Sequence, residues 1–206
     1  MLRLPASCNL GYTVSIKFGD VFHVKPHRII DLNIEEIAPK ALWFNIVLVI
    51  AFALAYQLFR EPLSFGFSLF GIAYFVGGYA LLIVLHELFH LIGFVAFGKV
   101  PVSSLQYGLN LKLGIAYATS DQPVKNRAMR AVLLLPFWTT AVLPTVIGFW
   151  LGDQVLVLLG AMLTAGAFGD FLMYRELRKE PNDAWILDDP KLPRLHVYSS
   201  YPMLDE

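Results

Sequence analysis

Within the apolar run 81–94 the chain reads His86-Glu87-Leu88-Phe89-His90. On a helix, positions i and i+4 lie one above the other, so His86 and His90 can each turn a ring nitrogen toward one metal ion. Glu87 sits about 100° around the helix from His86, close enough to contact a water on that metal without being a ligand. This is the HExxH pattern, two zinc ligands and a general base for hydrolysis. Its setting sharpens the reading, because ionisable side chains inside apolar spans are costly and rare. The competing reading is a buried polar cluster, bonded to itself and to backbone carbonyls.

A catalytic zinc usually has three protein ligands and one open position for water. Asp170, in "TAGAFGDFLMY", is one of very few other ionisable residues within the apolar stretches. His86 lies about 26 Å along its helix from the start of that span, and Asp170 about 22 Å along its own from the same side, at 1.5 Å per residue. The two depths agree. Gly166 and Gly169, with Ala165 and Ala167, are small enough to let this helix approach another closely. Asp188 and Asp189, in "LDDP", offer an alternative third ligand if the tail folds back; otherwise they open a turn before Pro190. His23, His27 and His196 lie outside the apolar stretches and read as surface or turn residues.

The elements that must position these groups are apolar throughout. The composition is 57% hydrophobic and only 16% charged, against about 25% charged in a typical soluble domain, and mean hydropathy is +0.59. The expected fold is an all-α membrane protein with four transmembrane helices, at 41–59, 69–97, 129–151 and 155–174, each long enough to cross about 30 Å of hydrocarbon. Residues 1–40 form an N-terminal segment, 41–178 the four-helix membrane domain and 179–206 a polar tail. Pro136 and Pro144 predict kinks in the third span, with neighbouring helices satisfying the carbonyls they free. Only "GDQ" separates the last two spans, a tight helical hairpin.

Charge sets the orientation. Fifteen lysines and arginines fall before the first span, between the second and third, or after the fourth, and only Arg60 falls on the other side. By the positive-inside bias, both termini and the 98–128 segment are cytoplasmic. That segment carries Leu105, Tyr107, Leu109, Leu111 and Leu113 two apart, which is strand periodicity, with Gly108 and Gly114 as bends or bulges. The stretch 11–28 alternates in a similar way and predicts a short strand or two. A net charge of zero gives no basic footprint for nucleic acid. The single cysteine, Cys8, excludes an internal disulfide and a thiolate zinc cluster. No cleavable leader is expected, since the first long apolar run starts near Ala41 and exceeds the length of a signal core.

"HELFH" in the second span, the strand-like segment after it and "GAFGD" in the fourth span resemble the DUF3267 family of zincin peptidases. More distantly they are similar to the site-2 protease class of intramembrane metalloproteases. That class carries HExxH on the first of three core helices and a metal-binding aspartate on the third. The resemblance covers residues 69–190 and implies that spans two to four are the core, with span one an addition. "FGDF" stands here where site-2 proteases have an aspartate followed by glycine. The implied protein is a membrane-embedded zinc metallopeptidase: His86, His90 and Asp170 hold Zn2+, and Glu87 is the base. Peptide bonds would be cut near the cytoplasmic face, in a protein or peptide substrate, membrane-bound substrates included, with the bilayer as the other partner. The alternative is a non-catalytic metal-binding membrane protein, a transporter or a scaffold. Asn110, Asn126 and Arg127 are available as oxyanion stabilisers, and none stands out.

Overall fold

The computed structural model describes residues 25–64, 68–110, 115–190 and 192–202. The chain runs β1 (Arg28–Asp31), α1 (Ile34–Phe59) and α2 (Leu69–Gly93), which continues into a π-helical turn at Phe94–Gly98. A hairpin of β2 (Leu105–Asn110) and β3 (Ile115–Ser120) follows, then the short β4 (Val124–Lys125). Next come α3 (Asn126–Pro136), a second π-helical turn (Phe137–Val142), α4 (Leu143–Leu151), α5 (Gln154–Gly166) and α6 (Phe168–Leu177). Two tail strands close the chain, β5 (Trp185–Asp188) and β6 (Arg194–Tyr198).

Local chemistry sets most helix ends. The Asn33 side chain accepts from the Glu35 amide at the start of α1, where Glu35 and Glu36 also favour the helix dipole. Ser68 does the same for α2 through the Gly71 amide. The hairpin between α4 and α5 is as tight as "GDQ" predicts. Gly152 ends α4 in the left-handed region at φ 72°, which glycine adopts without a Cβ clash. Asp153 then caps α5 by accepting from the Val155 and Leu156 amides.

Among the described residues, three helices are long and apolar enough to cross a membrane: Ile34–Phe59, Leu69–Gly98 and Asn126–Leu151. On the first of these the apolar side chains face outward rather than into a core. Leu42, Trp43, Leu54 and Leu58 on α1 are each more than 60% exposed, and Tyr56 is the one buried residue of that helix. Outward-facing leucines along a whole helix are an expensive surface in water and an ordinary one in hydrocarbon.

The sequence expectations need three amendments. The fourth span is not one straight helix: α5 and α6 meet at a 44° bend, a broken span or a re-entrant loop. The third starts three residues earlier than expected, at Asn126, and reaches Leu151 through a π-helical turn that its two prolines flank. The close approach attributed to Gly166 and Gly169 is made elsewhere. A Cβ on Gly166 would meet nothing within 4 Å, and one on Gly169 only Leu32 at 3.9 Å. It is Gly160 of α5 that packs tightly, since a Cβ there would collide with the Thr145 side chain and the Ala141 carbonyl. Ala165 and Ala167 are buried as small contact residues.

The protein is mostly helical, but its strands are more than one short segment. The expected periodicity is met over 105–110, where β2 pairs antiparallel with β3 in a hairpin, while Leu111 and Leu113 lie outside the described residues. Gly108 is in register with Tyr117 within it, and a Cβ there would meet the Tyr117 ring at 2.7–2.9 Å, so this glycine leaves room for a cross-strand ring. Gly114 and nearly all of the predicted 11–28 strand lie outside the described residues. A second sheet, ordered β1-β6-β5-β4 and antiparallel throughout, joins the tail to residues before α1 and before α3. Its inner face (Ile30, Val124, Ile186, Leu195, Val197) packs on Met129, Val132 and Leu133 of α3 and Met173 and Leu177 of α6. Each such side chain stabilises the fold by about 1.5–3 kcal/mol on burial. Asn126, fully buried, reinforces the junction by donating from Nδ2 to the carbonyls of Leu177, Glu180 and Pro181 at 2.9–3.0 Å.

Candidate metal centre

α2 is helical straight through 86–90, so the spacing of the motif becomes geometry. His86 and His90 are each 8% exposed, with ring centroids 5.1 Å apart and planes at 76°. The bend at Ala167 starts a new helix, and Asp170 sits in its first turn. Its Oδ2 lies 3.2 Å from His86 Nε2 and 3.6 Å from His90 Nε2. One donor atom from each of the three side chains falls within 4.8 Å of the others, an arrangement that could hold a metal ion. The chain thus brings together residues 84 positions apart, and the break in the fourth span is what aims the aspartate at the histidines.

The other ring nitrogens are engaged away from this point. His90 Nδ1 is 3.2 Å from the Val132 carbonyl, and His86 Nδ1 is 3.4 Å from Thr140 Oγ1. Thr140 in turn donates its hydroxyl to the Pro136 carbonyl at 2.8 Å, so toward His86 it acts as an acceptor. With an acceptor beside each Nδ1, both rings can keep a proton there and leave Nε2, the nitrogen nearest Asp170, free to ligate an ion, as metal-ligating imidazoles do. Gly93, one turn beyond His90, makes this possible. A Cβ there would sit 3.1 Å from Val132 Cα, so the glycine lets α3 come close enough for its backbone to reach the ring. Two imidazoles and a carboxylate form a borderline-hard N2O set that suits zinc in a catalytic rather than a structural site.

The three residues open onto a cleft of about 350 Å³. Glu87 lines the same cleft, half-buried, on the helix that carries the histidines. The apolar walls include Ile83, Phe94, Met129 and Leu133, and β3 lines it from Ala116 to Thr119. Gly166 and Gly169 line it too, and having no side chains they keep the opening wide.

Asp188 and Asp189 stand at the rim of this cleft, outside the three-residue group. Burial pushes the Asp188 carboxyl up to about 7. Asp189 is 3.6 Å from His196 Nε2 and accepts from the Leu192 amide, so it does open the turn expected around Pro190. His27 is away from the site, bonded to Glu180 and Ser199, and His23 is outside the described residues. Of the loop groups considered for an oxyanion, Asn126 is spent on three carbonyls and Arg127 is exposed and does not line the cleft. Sequence reasoning overlooked Thr140. Its one signal was a pair of threonines, Thr139 and Thr140, in an otherwise apolar span just after Pro136.

A search of curated proteins finds no match, and neither does a search of solved structures. A family model, DUF3267, described as "Putative zincin peptidase", matches residues 79–185, more than half of the chain. The matched stretch contains His86, Glu87, His90 and Asp170, and the resemblance read from "HELFH" and "GAFGD" is the one this match gives. The chain belongs to the DUF3267 family.

Proposed function

We propose that this protein is a membrane-embedded zinc metallopeptidase that hydrolyses peptide bonds at the end of the helix bundle nearest the two sheets. One observation carries the reading. Two imidazole nitrogens and a carboxylate oxygen converge within 4.8 Å at a cleft that Glu87 also lines. A purely structural metal site has no use for that fourth group.

His86, His90 and Asp170 would hold the ion. Bound there, zinc supplies Lewis-acid chemistry, lowering the pKa of a water toward neutrality and polarising a peptide carbonyl. Glu87 accepts the proton of the attacking water and returns it to the leaving amine. The apolar walls of the cleft exclude bulk solvent from the scissile bond. β3 pairs with β2 on one side, and its other side runs along the cleft, where an extended substrate can add as a further strand. A helical substrate has its carbonyls in helical hydrogen bonds, so strand addition also exposes the bond to be cut. The outward apolar faces of α1 and α2 support a bilayer setting, and the fifteen-to-one distribution of lysine and arginine favours placing the cleft near the cytoplasmic face.

The test is Glu87→Gln in detergent-purified, zinc-loaded protein, assayed on a set of mixed-sequence fluorogenic peptides. Turnover is expected to fall by about 10²–10⁴-fold, with zinc content and melting temperature unchanged. Equal turnover in parent and variant would remove Glu87 from the mechanism and the peptidase reading with it.

A further inference from the structure

The acceptors that orient the two histidines both trace to one residue, Pro136. It is the last residue of α3, with helical φ −59° and ψ −40°. In an uninterrupted α-helix the amide of residue 136 would donate to the carbonyl of residue 132. Proline has no amide hydrogen, so the Val132 carbonyl loses its partner in the ladder. The next amide does not replace it, because Phe137 donates to Leu134. Val132 is 1% exposed, and a buried carbonyl left unpaired is costly. His90 Nδ1 is the group that meets it, at 3.2 Å.

Pro136 acts a second time through its own carbonyl. That oxygen accepts from Thr140 Oγ1 at 2.8 Å, which commits the hydroxyl hydrogen and leaves a lone pair toward His86 Nδ1 at 3.4 Å. One proline therefore supplies a vacant acceptor to one imidazole and polarises the acceptor of the other. We infer that Pro136 is a positioning residue for the metal centre: its missing amide hydrogen and its carbonyl together hold His86 and His90 with their Nε2 lone pairs toward the ion. This rests on the zinc reading above and assigns a role to a residue that touches neither metal nor substrate.

The inference makes an unusual demand on Pro136→Ala. Alanine restores the amide and suits a helix interior far better than proline, so a merely structural proline would give a variant that is at least as stable and binds zinc as well. The expected result is a zinc-free protein that melts no lower than the parent while its zinc affinity, read by competition with a chromophoric chelator, is about 10–100-fold weaker. Undiminished affinity in a folded Pro136→Ala protein overturns the inference and leaves the zinc site intact. A parent that takes up no zinc overturns the site itself, and the two failures are distinct. Should the variant not fold, nitrogen-15 spectra of the histidine-labelled, zinc-loaded parent decide the matter. Protonated Nδ1 and coordinated Nε2 on both rings support the assignment, and coordination through either Nδ1 overturns it.

Discussion

Asp170→Asn separates a metal ligand from a buried ion-pair partner. The carboxamide is nearly isosteric with the carboxylate, so the first turn of α6 and the 3.2 Å approach to His86 Nε2 can persist. What is lost is the negative charge and most of the ligating power of the oxygen. Structural zinc sites with four protein ligands bind with about 10–16 kcal/mol, or roughly 3–4 kcal/mol per ligand. At 1.4 kcal/mol per decade, removing one of three protein ligands weakens zinc by about 10²–10³-fold. The assay is zinc per chain after dialysis against graded chelator, with parallel melts in the presence and absence of zinc. The parent should gain about 2.7 kcal/mol when free zinc reaches a hundred times its dissociation constant, and at that same zinc level the variant should gain almost nothing. If Asp170 served only as a buried counter-charge to the histidines, the opposite pattern would appear. Breaking such a pair costs about 3–5 kcal/mol of stability, with no change in zinc behaviour. An Asp170→Asn protein that binds zinc as tightly as the parent refutes the three-ligand site.

Two further outcomes follow from the sheet that covers the site. Burial raises the Asp188 carboxyl to about 7, so folding favours its neutral form. The penalty is absent below the unfolded value near 4, grows as pH rises and is complete above 7. In zinc-free protein, Asp188→Asn should therefore leave stability at pH 4 unchanged and raise it at pH 8, by up to about 4 kcal/mol, as read from melts at the two pH values; an equal effect at both would discount the burial argument. Asn126→Ala removes the Nδ2 donor that three carbonyls now meet at 2.9–3.0 Å, leaving those of Leu177 and Pro181 with only their 3.2 Å backbone partners. It should cost about 3 kcal/mol and expose the tail to protease before the helices, and a loss under 1 kcal/mol in denaturant would show that water replaces the amide.

What could be read in the chain before folding was whatever depends on near neighbours. The i, i+4 spacing of His86 and His90 is a property of any helix, and long apolar runs announce their own helices. The strand at 105–110 showed itself by alternation, and the tight turn between the last two apolar runs by the three residues "GDQ" that separate them. The tail strands did not. β5 and β6 are only four and five residues long, each with a charged residue at one end, and their buried faces have meaning only once β1, more than 150 residues earlier, pairs beside β6. The depth argument placed Asp170 level with His86, yet it took the packed fold to show that the fourth apolar stretch breaks at Ala167 and turns the carboxylate inward. Gly166 and Gly169 were legible as small, but whether small residues make room for a helix or for a cleft depends on what lies opposite them. The same holds for Pro136: the sequence says that a carbonyl is freed, and only tertiary structure decides that a histidine takes it, because a vacant acceptor can be filled by any donor the fold brings within 3 Å or so.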